Sequence, residues 1–214
     1  MSGSGRAKGE KKWWEKWDKA ARSFDLMNSG IERRYGKMKG EWFSRAVGKT
    51  LLVAVGTGLD LRYFPPGHDL TGIDISAKML EKAREKVVPT LEGNEPLPRT
   101  NLVRTDVEQL PFGDATFDTV VTSCTFCSVP DPVAGFRELR RVLKPGGALL
   151  MFEHVRPANL YLGLMMDLMN PVARRLGPEI NRRTAANVCA AGFRLTREFN
   201  VFLDMVKLFE AVKA

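Results

Sequence analysis

The sequence predicts an α/β protein, a doubly wound sheet of about seven strands with its last strand antiparallel and extra helices ahead of it. Three observations predict it. An apolar run, Leu51 to Val55, breaks into Gly56-Thr57-Gly58, and a second short strand ends Gly72-Ile73 with Asp74 at its carboxyl end. Strand and helix patterns then alternate along the chain, as in a sheet covered on both faces. Two closing strands, near Leu195–Phe202 and Met205–Val212, have almost no connection between them. They must pair antiparallel, because a parallel crossover needs a dozen or more residues.

The chain of 214 residues is long enough for one domain with a full core. Its charge is uneven. Residues 1–49 hold thirteen Lys and Arg against six Asp and Glu, so +7 of the net +8 lies there. A near-neutral body with a basic N-terminal segment suggests a catalytic domain with an electrostatic docking surface. No uninterrupted apolar run reaches bilayer length, no secretory signal opens the chain, and three cysteines make no disulfide framework. The expected compartment is the cytoplasm.

In chain order, residues 1–10 are Gly, Ser and Lys rich and read as a disordered tail. Residues 11–48 read as basic amphipathic helices. Trp13, Trp17, Ala20, Phe24 and Met27 share one helical face, with Lys12, Lys16, Lys19 and Arg22 off it. Such a helix suits an anionic membrane surface through residues 11–27, or a lid packed on its own domain; amphipathicity alone does not choose. Ile31, Tyr35, Met38, Trp42, Phe43 and Ala46 form a second stripe, stopped by Gly48.

Residues 49–214 carry the sheet. Ser76 can cap a helix whose Met79, Leu80, Ala83 and Val87 face the sheet. Pro89 to Arg99 reads as a loop, Asn101–Thr105 as the third strand ending at Asp106, and Phe117–Ser123 as the fourth. Pro130-Asp131-Pro132 starts a helix to Leu143, and a Lys-Pro-Gly-Gly turn leads into a strand from Ala148 to Glu153. Residues 155–183 form an apolar, Met-rich, substrate-side insert without a strand pattern, and Thr184–Ala191 is helical.

The glycine bend and the strand-end acid point to a bound nucleoside. A dinucleotide fingerprint wants a third glycine or alanine where Leu61 stands, and no Gly-Lys-Ser/Thr is present. A two-glycine bend suits S-adenosylmethionine, whose sugar carries no phosphate. The stretch resembles motif I and the following acidic motif of class I methyltransferases, which implies a Rossmann-like sheet. The run from Asp106 through Leu110-Pro111-Phe112 to Phe117-Asp118, and Phe136 through Lys144-Pro145-Gly146-Gly147, resemble the ubiquinone/menaquinone C-methyltransferases. Phe24-Asp25-Leu26-Met27-Asn28 resembles that group's N-terminal signature, whereas Val55-Gly56-Thr57-Gly58-Leu59 is similar to bacterial phospholipid N-methyltransferases. Cys127-Ser128-Val129 with Glu153-His154-Val155 resembles a related thiol-methylating group.

The resemblance implies a set of roles. Val55, Gly56, Thr57 and Gly58 would pass under the methionyl-ribosyl part, and Asp74 would accept both ribose hydroxyls. Ile75 and Met79 would pack on the adenine, Asp106 and the Val107 N–H would meet its edge, and Ser123 and Cys124 would face the sulfonium. Helix capping is the alternative role for Asp74 and Asp106. The family commonly has an acid for the methionine ammonium where Leu52 stands, and a first glycine where Ala54 stands. The methionine end must then be held from elsewhere, by backbone carbonyls or the N-terminal helices.

Methyl transfer from a sulfonium is an in-line displacement that needs alignment and exclusion of water. An amine acceptor must also lose a proton. His154 with Glu153 is the candidate base, or else a histidine satisfying a loop carbonyl; Tyr35 is a candidate for ordering or gating. One Cys-x-x-Cys at Cys124–Cys127 and two histidines argue against a metal site. The expected activity is methylation of a membrane lipid, foremost the amine of phosphatidylethanolamine, at the inner membrane face. The alternative is a quinone or small lipophilic acceptor. A nucleic-acid methylase is disfavoured because Cys-Thr-Phe-Cys replaces the Asn/Asp-Pro-Pro-aromatic turn, and a non-catalytic cofactor-binding protein is the remaining reading.

Overall fold

The computed structural model describes residues 14–87, 98–176 and 178–213. The expected tail at residues 1–10, Trp13, and residues 89–97 of the expected loop lie outside the described residues. Strands β1 (Thr50–Val53), β2 (Asp69–Asp74), β3 (Arg99–Arg104), β4 (Phe117–Ser123), β5 (Leu143–His154), β6 (Phe193–Phe202) and β7 (Val206–Lys213) form one sheet, in the order β3-β2-β1-β4-β5-β7-β6. β1 to β5 are mutually parallel, and β7 runs antiparallel between β5 and β6.

Alternate residues of the buried strands serve opposite faces. Leu51 and Val53 pack on one side with Phe136, Leu139 and Val142 of α4 (Pro132–Val142). Leu52 packs on the other with Trp42 and Phe43 of α2 (Phe24–Phe43). Asp131 caps α4, its Oδ1 accepting from Ala134 N at 3.0 Å, with Pro132 at the first helical position. In α3 (Ala77–Val87) the predicted cap holds: Ser76 Oγ accepts from Met79 N at 3.1 Å, while Met79, Leu80 and Ala83 are buried.

One expectation is corrected and two are refined. The stripe from Trp17 to Met27 belongs to two helices, α1 (Glu15–Ala20) and α2, because the chain breaks at Ser23, whose hydroxyl turns back 3.4 Å to the Ala20 carbonyl. The buried face of α2 keeps the predicted Trp42 and Phe43 and adds Lys39, while the first residue of the predicted stripe, Ile31, lies outside it. Lys39 is 4% exposed and Ile31 41%, because Lys39 is neutralised by two carboxylates described below. The insert at 155–183 is largely helical: α5 (Leu160–Leu176) starts where Asn159 Oδ1 accepts from Tyr161 N and Leu162 N, both at 3.1 Å. Arg156 grips Asp167 on the inner side of α5 at 2.8–3.1 Å. The outer side leaves Leu160, Tyr161, Leu164, Leu168 and Val172 exposed. A short helix, α6 (Thr184–Ala190), leads into β6.

Candidate functional site

The strand order changes direction between β1 and β4, where open α/β sheets hold their ligands beyond the strands' carboxyl ends. A cavity of about 420 Å³ lies there, within the ~300–1,000 Å³ range of small-molecule sites. Residues 53–56, 73–75, 105–107 and 123–125 supply its floor. Lys16, Trp17 and Ala20 of α1 and Phe24, Met27 and Asn28 of α2 supply its cover. The apolar side of α1 is thus turned onto its own domain. Asp18 fastens it there, its Oδ1 accepting from Ser76 Oγ at 2.5 Å and from Lys78 N at 3.3 Å.

The sharp exit from β1 is built on left-handed backbone. Gly56 has φ +57° and Gly58 φ +83°, conformations at no steric cost to glycine. Ala54, at the family's first glycine position, also sits at φ +52°, strained for a residue with a Cβ. At Gly58 a Cβ would stand 3.0 Å from Leu61 Cδ1 and 3.3 Å from Ala83 Cα, so this glycine serves close packing of the bend on α3.

Asp74 lies at the end of β2, 8% exposed. Its Oδ2 accepts from Gly56 N at 2.9 Å and its Oδ1 from Ser76 N at 2.8 Å. Those bonds fix the carboxylate beside the bend and leave further lone pairs free toward the cavity. Burial pushes its pKa up to about 6, against the pull of the backbone donors. Asp106 is half-buried, with Oδ1 accepting from Glu108 N at 3.0 Å. Each acid therefore has a loop-closing role and borders the cavity as well.

Of the residues singled out from sequence, Val55, Gly56, Asp74, Ile75, Met79, Asp106, Val107, Ser123 and Cys124 line the one cavity. Thr57 and Gly58 do not; Thr57 is buried beneath the bend, where its hydroxyl donates to Asp25. The candidate base, His154 with Glu153, and the candidate gate, Tyr35, are also absent from the lining. Glu153 is 0% exposed, and it accepts from Thr122 Oγ1 at 2.7 Å, Thr125 N at 3.1 Å and Phe126 N at 3.3 Å. It holds the turn after β4 from below, and desolvation raises its pKa to about 7. His154 pairs with Val206 across β5 and β7, and burial lowers its pKa. Tyr35 stacks at a tilt on Phe152, 5.6 Å between centroids, with only Phe152 reaching the cavity. Cys127 is buried, and desolvation with Glu153 nearby pushes its thiol up to about 12, so it lines the cavity as a neutral group. Among the described residues no group of His, Cys, Asp or Glu is placed to hold a metal ion.

Glu32, Lys39 and Asp60 also line the cavity, and sequence reasoning missed them. The signal was faint: Glu32 and Lys39 stand seven apart, two helical turns, on the side of α2 that carries Tyr35 and Trp42.

Residues 51–151 match the methyltransferase-domain family. A ubiquinone/menaquinone biosynthesis C-methyltransferase from Syntrophotalea carbinolica is 32% identical over 170 residues, 75% of this chain and 69% of the relative.

This chain belongs to the class I S-adenosylmethionine-dependent methyltransferases.

A phosphatidylethanolamine N-methyltransferase from Cereibacter sphaeroides is 41% identical over 107 residues, 50% of this chain and 51% of the relative. The chain spans 51% and 56% of the lengths of two of its curated relatives, this one and a Pseudomonas paraeruginosa quinone C-methyltransferase. Among solved structures, a methyltransferase from Thermotoga maritima superposes with TM-score 0.69 at 16% identity, covering 94% of this chain and all of the other (100%). One from Aquifex aeolicus gives 0.61 at 20% identity, with coverage of 84% and 89%. At these identities the likeness is one of fold. The family's cofactor is S-adenosylmethionine, and the left-handed backbone at Ala54 and Gly56, with Asp74 free to accept beside it, fits an adenosyl sugar without phosphate.

Proposed function

We propose that this chain transfers a methyl group from S-adenosylmethionine to a membrane lipid, foremost the amine of phosphatidylethanolamine. The observation that carries this reading is the mouth of the cavity. Met27 and Ile31 line it, yet they are 72% and 41% exposed, so the entrance is an apolar rim open to the outside. A lipid headgroup can enter across such a rim while its acyl chains stay outside. When bound, the cofactor supplies an electrophilic methyl on its sulfonium. In this reading Asp74 orients the ribose, Asp106 and Val107 the adenine edge, and Ser123 and Cys124 border the acceptor space. Trp17 and Phe24 exclude water, which lowers the cost of keeping an amine uncharged. The likeness to the phosphatidylethanolamine N-methyltransferase supports the amine.

Membrane association is part of the proposal. The supporting surfaces are the exposed Leu26 and Met27 on α2 and the outer side of α5, with the exposed Arg174 and Arg175 in its last turn. Apolar side chains flanked by arginines suit an anionic interface. Among the described residues no helix is long and apolar enough to cross a membrane. A second reading, a quinone acceptor methylated at carbon, is favoured by the longer match to the quinone methyltransferases. Radiolabelled methyl transfer into phosphatidylethanolamine vesicles, compared with a demethylated quinol in the same vesicles, tests the two. Label in the phospholipid supports the first reading; label confined to the quinol replaces it with the second.

A further inference from the structure

Leu52 is 1% exposed and belongs to the core beneath the sheet, so the family's acidic contact to the methionine end has no counterpart there. The same cavity contains a buried charged cluster. Lys39 Nζ lies 2.7 Å from Glu32 Oε1 and 2.5 Å from Asp60 Oδ1. Tyr63 donates its hydroxyl to Glu32 Oε2 at 2.6 Å, and the rings of Tyr63 and Phe152 stand 5.5 and 5.6 Å from the ammonium. Asp60 reaches this position because Gly58 turns the chain at φ +83° into the 3-10 turn Leu59–Tyr63.

One cation between two carboxylates leaves the buried group with a net charge of about −1, and Arg62, 3.5 Å from Glu32, is itself half in solvent. Apolar side chains of similar size would fill such a place at no loss of stability, and often at a gain. A charged cluster in a cavity wall therefore asks for a charged ligand. Cys124, just after β4, lines the same cavity as Lys39 and Asp60, so the cluster shares that space with the region assigned to the sulfonium. The amino-acid end of the cofactor carries an ammonium and a carboxylate, the complement of a carboxylate–lysine array.

We propose that Glu32, Lys39 and Asp60 together receive the amino-acid end of S-adenosylmethionine, the carboxylates facing its ammonium and Lys39 its carboxylate. This rests on the cofactor reading above, and it assigns to α2 and the turn after Gly58 the contact that Leu52 cannot make. Methylthioadenosine carries the adenosyl part of the cofactor without the amino-acid end, whereas S-adenosylhomocysteine carries both.

Calorimetric titration of the full chain with each of these two ligands, in wild type, D60N and E32Q, separates the possibilities. The wild type should bind S-adenosylhomocysteine roughly tenfold or more tighter than methylthioadenosine. In D60N that preference should collapse to within about threefold while methylthioadenosine affinity holds, which also shows the variant is folded. E32Q, which leaves Lys39 its Asp60 partner, should show a smaller fall in the same ratio. An unchanged ratio in both variants, or equal losses for both ligands in both, overturns the assignment. Binding of neither ligand by wild type overturns the cofactor reading itself, and the assignment with it.

Discussion

Glu153→Gln separates a structural carboxylate from a catalytic one. Glu153 is fully buried, and its pKa rises from 4.5 to about 7. The folded state therefore holds a proton that the unfolded state has released between those two values, so stability falls as pH rises. The shift corresponds to on the order of 3 kcal/mol, present below the unfolded pKa and lost through the folded one. Asp74, raised to about 6, adds a loss of the same sign. Glutamine cannot ionise, so the variant's stability should fall less steeply with rising pH than the wild type's. It also turns an amide N–H₂ toward Phe126 N, where the carboxylate accepted at 3.3 Å, at a cost of roughly 1–3 kcal/mol. Urea unfolding followed by tryptophan fluorescence from pH 5 to about 8 reads both effects. The variant should be less stable than wild type near pH 5, match or exceed it near pH 8, and retain cofactor binding. Parallel pH profiles would refute the buried-carboxylate account. Loss of methyl transfer with stability and cofactor binding intact would return Glu153 to the reaction.

Cofactor affinity should fall as pH drops through about 6, because ribose hydroxyls donate to an ionised Asp74 and burial holds its pKa there. Titrations near pH 6 in buffers of different ionisation enthalpy should register proton release on binding; pH-independent affinity between pH 5 and about 8 would contradict the assignment. Ala54→Gly should raise the urea midpoint by an amount worth on the order of 1 kcal/mol, since φ +52° strains alanine and not glycine. Leu168→Asp, at a site 82% exposed, should leave stability within about 0.5 kcal/mol and weaken sedimentation with anionic vesicles. Unchanged partitioning would exclude α5 from the proposed membrane contact.

The sheet was legible because its first two strands are apolar stretches closed by a glycine bend and an acid, and the later ones keep strand-like apolar patterns. Leu51–Val53, Leu70–Ile73 and Phe117–Val121 leave few alternatives, and the short link before Met205 required the antiparallel pair. The floor of the cavity was legible too, because Gly56, Asp74 and Asp106 each stand at or just beyond a strand end. The covering half was legible only as one of two alternatives, a lid on its own domain or a membrane-facing helix. Trp17 and Phe24 keep a helical spacing across the break at Ser23, and periodicity does not register a break that preserves phase. Lys39 was not singled out because its partners lie seven residues before it in Glu32 and beyond the bend in Asp60, a pairing only the fold creates. The helix α5 was hidden by its composition. An apolar segment with an outward apolar side lacks the polar alternation that marks a surface helix. Glu153 and His154 stood at a strand end, the right place in sequence, but the Glu153 carboxylate is taken up by Thr122, Thr125 and Phe126, and neither residue lines the cavity.

Calorimetric titration with S-adenosylmethionine of wild type and Asp74→Ala, side by side, bears most directly on the ligand assigned to this cavity. Saturable uptake by wild type, weakened by roughly a hundredfold or more in the variant, is the predicted result, since a paired charge-assisted contact is lost. Near-normal affinity in Asp74→Ala, or no uptake by the wild-type chain, would contradict it.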